Sequence, residues 1–425
     1  MTINRKEIPQ TEKIHSLNFK QFQSVETAGN GKIYYQSGGT EPVIKLDLVF
    51  NAGLVQQEKV SVSSFTASML SEGTKTKTGK ELLNALDFYG SYFQVKSNED
   101  DTVATLYCLE KHLENCLPLF MEAIEESVFP NKALETLKRN AIQKLKVNEK
   151  KNSFVCRRAF AKNIYGENHP YGKANSVENI QSINREELVS FHQNNILAGF
   201  KYAILSGKFS HETLSRISNS ISLKPSVFTE SNARGIIPVI SPGKYFIEKN
   251  DSVQAAIRIG KHGLQRTNPD FASFQLLNLI FGGYFGSRIM KNIREEKGLT
   301  YGIYSSHEIN QQGSAWYIET EINSKSKHIG VEEIYKEMKI LREVRISEEE
   351  IDIARNYLLG SILKSLDNTL SLSNRMKLNL DFGLQENYLG NFIAQVNKEN
   401  ADSLIQTAQK YFTEEGLVEM IVGKN

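Results

Sequence analysis

Arg294 and Tyr301 stand seven positions apart in a run that reads Ile293-Arg294-Glu295-Glu296-Lys297-Gly298-Leu299-Thr300-Tyr301. A guanidinium keeps its charge at any physiological pH and a phenol donates a hydrogen bond. Both suit an oxyanion that develops in a transition state. A helix beginning near Ser287 would end at Gly298, which can adopt the left-handed helix-closing conformation. A strand starting at Tyr301 would then turn both side chains toward one cleft. The same residues also fit a solvated charged turn followed by a core strand.

Other residues offer less. Ser64 and Ser68 have no identifiable histidine or acid partner, so a serine nucleophile has no base to activate it. The eight histidines are His15, His112, His169, His192, His211, His262, His307 and His328. No two are four apart, so no single helix face offers a histidine pair to a metal. Gly282, Gly283 and Gly286 lack the strand-to-helix setting of a phosphate loop and read as a tight turn between helices. His262 follows a strand and reads as a surface residue. Cys108, Cys116 and Cys156 are odd in number and lack C-x-x-C spacing, which fits buried free thiols in a reducing cytoplasm.

An internal repeat supplies the elements that must position these residues. Ile44, Leu46, Leu48 and Phe50 alternate with Lys45, Asp47 and Val49, the period of a half-buried strand, which ends at Gly53-Leu54. Ser252–Gly260 alternates in the same way and ends at Gly263-Leu264, 210 positions later. Lys138-Arg139 and Ala354-Arg355 both sit in long helical segments, 216 positions apart. A late helix begins at Asn184 with Glu187 at capping-box spacing, and its counterpart begins near Asn397. The closing strands, 201–206 and 417–422, run into Gly207-Lys208 and Gly423-Lys424, again 216 apart. Four pairings in order indicate duplication.

The expected fold class is α+β, with two homologous sandwich domains, each a mainly antiparallel sheet with helices packed on it. The expected boundaries are 1–220, a linker at 221–244 with Pro225, Pro238 and Pro242, and 245–425. The length of 425 residues accommodates this at about 150 residues per domain. Lys plus Arg total 51 and Asp plus Glu 49, a net charge of +2, which gives no electrostatic case for nucleic acid or an anionic membrane. The first twenty residues contain no apolar core of a signal peptide, and no run of about 18 apolar residues occurs. The expected location is cytoplasmic.

Two stretches resemble the insulinase/pitrilysin/mitochondrial processing peptidase family. One is IKLDLVFNAGLVQQEKVSVSSFTASMLSEGTKTKTGKEL. The other is QAAIRIGKHGLQRTNPDFASFQLLNLIFGGYFGSRIMKNIREEKGLTYGIYSS. His169-Pro170-Tyr171-Gly172 adds to the likeness, which spans roughly residues 25 to 424. Active members carry H-x-x-E-H on a helix before a Gly-Thr pair: two histidines for zinc, and a glutamate as base on the metal-bound water. Counting back from Gly73-Thr74, this chain has Ser64, Ala67 and Ser68 there. The family's later glutamate ligand falls near Lys144; Glu149 is close but has no histidine partners. Hydroxyls are poor zinc ligands beside imidazole, and an ammonium repels the metal.

The resemblance therefore implies a subunit with no metal of its own. In the family, an arginine and a tyrosine at this spacing reach across to the zinc-bearing half. Arg294 and Tyr301 would act in trans, in a heterodimer with a zinc-motif subunit of the same family. The zinc would belong to that partner, and short or unfolded peptides would be the substrates. The alternative is a proteolytically inactive peptide-binding or scaffold protein of the same fold.

Overall fold

The computed structural model describes residues 22–226 and 240–425. Pro238 and most of the expected linker lie outside the described residues, as do residues 1–21. The first sheet is built from β1 (Gln23–Glu26), β2 (Lys32–Ser37), β3 (Val43–Phe50), β4 (Tyr92–Ser97), β5 (Thr102–Leu109) and β6 (Phe200–Gly207). The second is built from β7 (Gly243–Glu248), β8 (Gln254–His262), β9 (Thr300–Asn310), β10 (Gly313–Asn323) and β11 (Val418–Gly423). The spatial orders are β1-β2-β6-β3-β5-β4 and β7-β11-β8-β10-β9. Without β1, the two orders correspond strand for strand. The one parallel pair also falls at the same place in each, β2 with β6 and β7 with β11. The fold is two homologous α/β sandwiches, as the repeat implied.

One face of each sheet carries its own half's helices. Ile44, Leu46, Leu48 and Phe50 of β3 are fully buried there, packed with Phe120, Ile124 and Phe200. In the second half Ile257, Ile259, Trp316 and Ile318 pack with Phe274, Phe281 and Phe412. Each such side chain contributes about 1.5–3 kcal/mol by leaving water. The Trp316 indole donates to Asn278 Oδ1 at 2.7 Å, so its polar atom is satisfied inside the core.

The opposite face of each sheet is covered by a helix from the other half. The Asn152–Tyr165 helix lies on the second sheet through Cys156, Phe160 and Ile164, against Ala256, Tyr317, Val418 and Met420. The Thr369–Asp381 helix lies on the first sheet, where Met376 meets Val49, Tyr202 and Ile204. This corrects the reading of β3 as half-buried. Lys45 and Asp47 alternate as a solvent face would, yet they are 7% and 3% exposed and form a 2.8 Å ion pair beneath the exchanged helix.

Three further expectations change in detail. The repeat of the Asn184 capping box is at Asn400 rather than Asn397, which lies inside the preceding helix. Asn400 accepts from the backbone amides of Asp402 and Ser403, so the two boxes are 216 positions apart, the same offset as the long helices and the closing strands. Gly282 and Gly283 close a π-helical turn, Leu279–Gly283, so the turn between helices begins only after them and contains Gly286. A Cβ on Gly282 would sit 2.8 Å from the Ser305 backbone nitrogen, so the missing side chain lets β9 approach. His262 is half-buried, and burial lowers its pKa; it is not a surface residue.

Candidate functional site

Ser64, Ala67 and Ser68 all fall on the Val62–Met69 helix, where a metal-binding motif would need them. Their chemistry does not fit a zinc ion. The Ser64 hydroxyl donates back to Ser61 O at 3.0 Å and the Ser68 hydroxyl to Ser64 O at 2.9 Å, so both are spent on their own helix. Ala67 is buried and carries no donor atom. Lys144, on the Asn131–Asn148 helix, is exposed, and Glu149 pairs with Arg158 at 3.0 Å. Among the described residues no group of three or more His, Cys, Asp or Glu side chains is placed to hold a metal.

The Gly73-Thr74 segment that follows is tied down by Glu122. Thr74 donates to that carboxylate at 2.5 Å and Lys77 at 2.9 Å, with Thr76 as a further donor. Burial would raise the Glu122 pKa, but these hydrogen bonds and the Lys77 charge outweigh it and bring it down to about 2. The loop thus keeps its shape with no metal beneath it.

Arg294 and Tyr301 come to one side of the molecule. Both line an open cleft of about 900 Å³, with Val253, Gln254, Gly298 and Asn323. The helix carrying Arg294 is π-helical over Met290–Glu296, and the Lys297 amide bonds five residues back to Asn292 O at 3.1 Å. Gly298 then takes φ +63. Only glycine holds that angle without strain, and it turns the chain into β9. Because β9 is the sheet edge, Tyr301 projects freely. It is 94% exposed, which rules out the core-strand reading. The Arg294 guanidinium lies 4.6 Å from the Phe285 ring centre. That contact was not legible in the sequence, where Phe285 is one aromatic in a glycine-rich turn. Phe285 is itself 59% exposed. The cleft contains none of Ser64, Ala67, Ser68 or Lys144, so the degenerate metal position and the Arg/Tyr pair do not share a cavity.

A duplicated sandwich with an open Arg/Tyr cleft, and without metal ligands at its motif, defines a metallopeptidase-like protein. The chain belongs to the insulinase family, peptidase family M16. Residues 32–174 match the model described as insulinase (peptidase family M16), and residues 182–358 match peptidase M16 inactive domain. The border between the two matches precedes β6, which completes the first sheet, so it is not the border between the sheets.

The relatives differ in what their names claim. An uncharacterized zinc protease of Rickettsia felis is 23% identical over 84% of this chain and 86% of its own length. A non-peptidase homolog from Helicobacter pylori is 22% identical over 86% and 85%. The beta subunit of the Saccharomyces cerevisiae mitochondrial-processing peptidase is 22% identical over 72% and 70%. The solved structure of a peptidase M16 inactive domain from Pseudomonas fluorescens has the same fold, with a TM-score of 0.86 at 23% identity, covering 96% of this chain and 99% of that one. No helix among the described residues is long and apolar enough to cross a membrane.

Proposed function

We propose that this chain is the non-catalytic subunit of a heteromeric zinc endopeptidase, and that Arg294 and Tyr301 complete the active site of a zinc-bearing partner of the same family. The observation that carries the reading is the placement of these two side chains. Arg294 and the 94% exposed Tyr301 line one open cleft that contains none of the degenerate metal positions. A phenol exposed at a sheet edge adds nothing to a core and is open to a partner that docks beside it. In the assembled site the guanidinium would hold the peptide backbone, and the phenol would donate to the carbonyl oxygen as charge develops there. Two half-shells enclosing a chamber would admit short or unfolded peptides and exclude folded proteins. The proposed domain limits are 1–220 and 245–425, joined by 221–244, and the proposed compartment is the cytoplasm.

The test is reconstitution. The zinc-motif chain that co-purifies with this one is mixed with it, and peptide cleavage is measured. The expected outcome is activity that neither chain has alone, and a fall in kcat on the order of 10²-fold for Tyr301→Phe or Arg294→Ala with the complex still formed. Full activity in both variants would leave the scaffold reading as the better one.

A further inference from the structure

A second cavity, distinct from the Arg/Tyr cleft, lies between the two halves. Its volume is about 210 Å³, and its walls include Glu99, Phe160, Tyr165 and Tyr171 from the first half with Glu308 and Tyr317 from the second. That is room for about seven waters at roughly 30 Å³ each, or for one small organic ligand. Tyr165 is 6% exposed, and its hydroxyl has no hydrogen-bond partner among the described residues. Burial raises the pKa of that hydroxyl, and the negative charges of Glu308 and Glu99 push it the same way. Glu99 is partly buried and forms no ion pair among the described residues; burial raises its pKa against a hydrogen bond from its own backbone amide, and Glu308 and Asp100 raise it further. The Glu308 carboxylate accepts one long hydrogen bond, 3.5 Å, from Asn310.

The basic residues of the same walls are engaged elsewhere or face out. Arg258 pairs with Glu319 and lies 4.1 Å from the Tyr317 ring centre. Arg158 pairs with Glu149 and donates to Asn175 O at 2.7 Å. Arg157 and Lys173 are exposed. What remains is the buried Tyr165 hydroxyl, which has no partner among the described residues, beside the partly buried Glu99 and the exposed Glu308 at the rim, two carboxylates that repel one another. Aromatic rings flank them, with Tyr165 and Tyr171 edge to face at 5.3 Å and Phe160 and Tyr317 at 5.7 Å. Ring faces attract cations, and since Arg258 already lies over Phe160 and Tyr317, the Tyr165 and Tyr171 rings are the ones left to a ligand.

We propose that this cavity binds a primary ammonium group, whose three N–H donors meet Glu99, Glu308 and the Tyr165 hydroxyl while its alkyl stem lies along the aromatic walls. The ammonium can come from a free alkylamine or from a lysine side chain of a bound peptide. The site does not depend on the role given to Arg294 and Tyr301.

Calorimetric titration of the full chain distinguishes the possibilities, with n-butylammonium, N-acetyl-lysine methylamide, n-butanol and acetate as probes. Saturable binding of n-butylammonium at one site per chain is expected, with none for n-butanol or acetate. Glu308→Gln should weaken it roughly tenfold or more, since one charge-assisted hydrogen bond is lost, and Tyr165→Phe by a smaller factor. Glu308 is exposed and Phe fits the space of Tyr165, so both variants should fold; Glu99→Gln provides a third. Binding of the lysine derivative as tight as that of n-butylammonium identifies a peptide source, and its exclusion identifies a free amine. Unchanged affinity in Glu308→Gln and Glu99→Gln, preferential binding of acetate, or no saturable binding of n-butylammonium would overturn the proposal.

Discussion

The two exchanged helices do the same job with opposite chemistry. The Asn152–Tyr165 helix seats on the second sheet through buried Cys156, Phe160 and Ile164, with one stacked arginine. The Thr369–Asp381 helix seats on the first sheet through Met376, packed on Val49, Tyr202 and Ile204, and through a set of buried charges. Lys377 bridges Asp101 and Asp381, Lys201 meets Asp381 at 3.1 Å, and the Tyr202 hydroxyl donates to Asp381 at 2.6 Å. Lys45, paired with Asp47, also donates to Ser373 at 2.8 Å. Three cations and three carboxylates thus balance beneath one helix. An apolar seat gains stability from area and tolerates sliding; a buried ionic seat gains little net stability but fixes one register, since a displaced charge has no solvent to rescue it.

The largest expected effect is on the apolar seat. Phe160, 2% exposed, should cost about 3–5 kcal/mol as Phe160→Ala, read by urea unfolding. A cost below about 1 kcal/mol would mean that the helix does not hold the halves together. Asp381→Asn should cost about 3 kcal/mol, because Lys201 and Lys377 would then share an amide in place of a carboxylate. Equal stability of wild type and Asp381→Asn would show that the charges are hydrated and the contrast between the seats is false.

Acid sharpens the comparison because the two seats carry shifts of opposite sign. Burial would raise the Asp381 pKa, but Lys201 and Lys377 overcome it and the net shift is downward. Its stabilisation is present above the unfolded value near 3.9 and is lost as pH falls through the depressed folded value. Glu99 and Asp100, beside the other seat, are raised, chiefly by burial. Ionised Glu99 therefore opposes folding at neutral pH, and this penalty disappears as pH falls through its raised value toward about 4.3. Glu99→Gln should be more stable than wild type at pH 7 and indistinguishable from it below that range. The deficit of Asp381→Asn should instead persist to about pH 4 and shrink only below it. Parallel pH profiles for the two variants would refute the assignment. The smallest effect is expected at the cleft: Tyr301→Phe and Arg294→Ala should shift stability by no more than about 0.5 kcal/mol, because neither side chain holds either seat.

What the sequence revealed follows from where the information is local. Strand alternation, the Asn184 box and the paired glycine endings repeat along the chain, so duplication and fold class were legible without coordinates. Tyr301 at a strand start and Gly298 as the turn before it were likewise readable, because backbone geometry dictates them. The covering of β3 was not. Lys45 and Asp47 look like a solvent face to any local rule, and only a helix more than three hundred positions away makes them interior. The same limit hid Phe285 under Arg294, and it hid the cavity at Glu99 and Glu308, whose walls come from both halves. Contacts between halves carry no periodic signature in either one.

The exchange of helices also governs the order in which the molecule can be finished during synthesis. The first sheet has its last strand once Gly207 has been made, but the helix that covers its charged face ends at Asp381, 174 residues later. At about 5–20 residues per second, that interval is roughly 9–35 seconds. During it, Lys45, Asp47, Lys201 and Asp101 face water rather than protein. The face is mixed: its paired charges can wait in solvent without sticking to their neighbours, and they surround Val49, Tyr202 and Ile204, the apolar part that needs the cover. The apolar seat has the reverse timing: its helix is made before the sheet it will cover, and a single helix is easier to shield than an open sheet. The nascent chain thus holds open, for the long wait, the sheet whose apolar patch is ringed by charge.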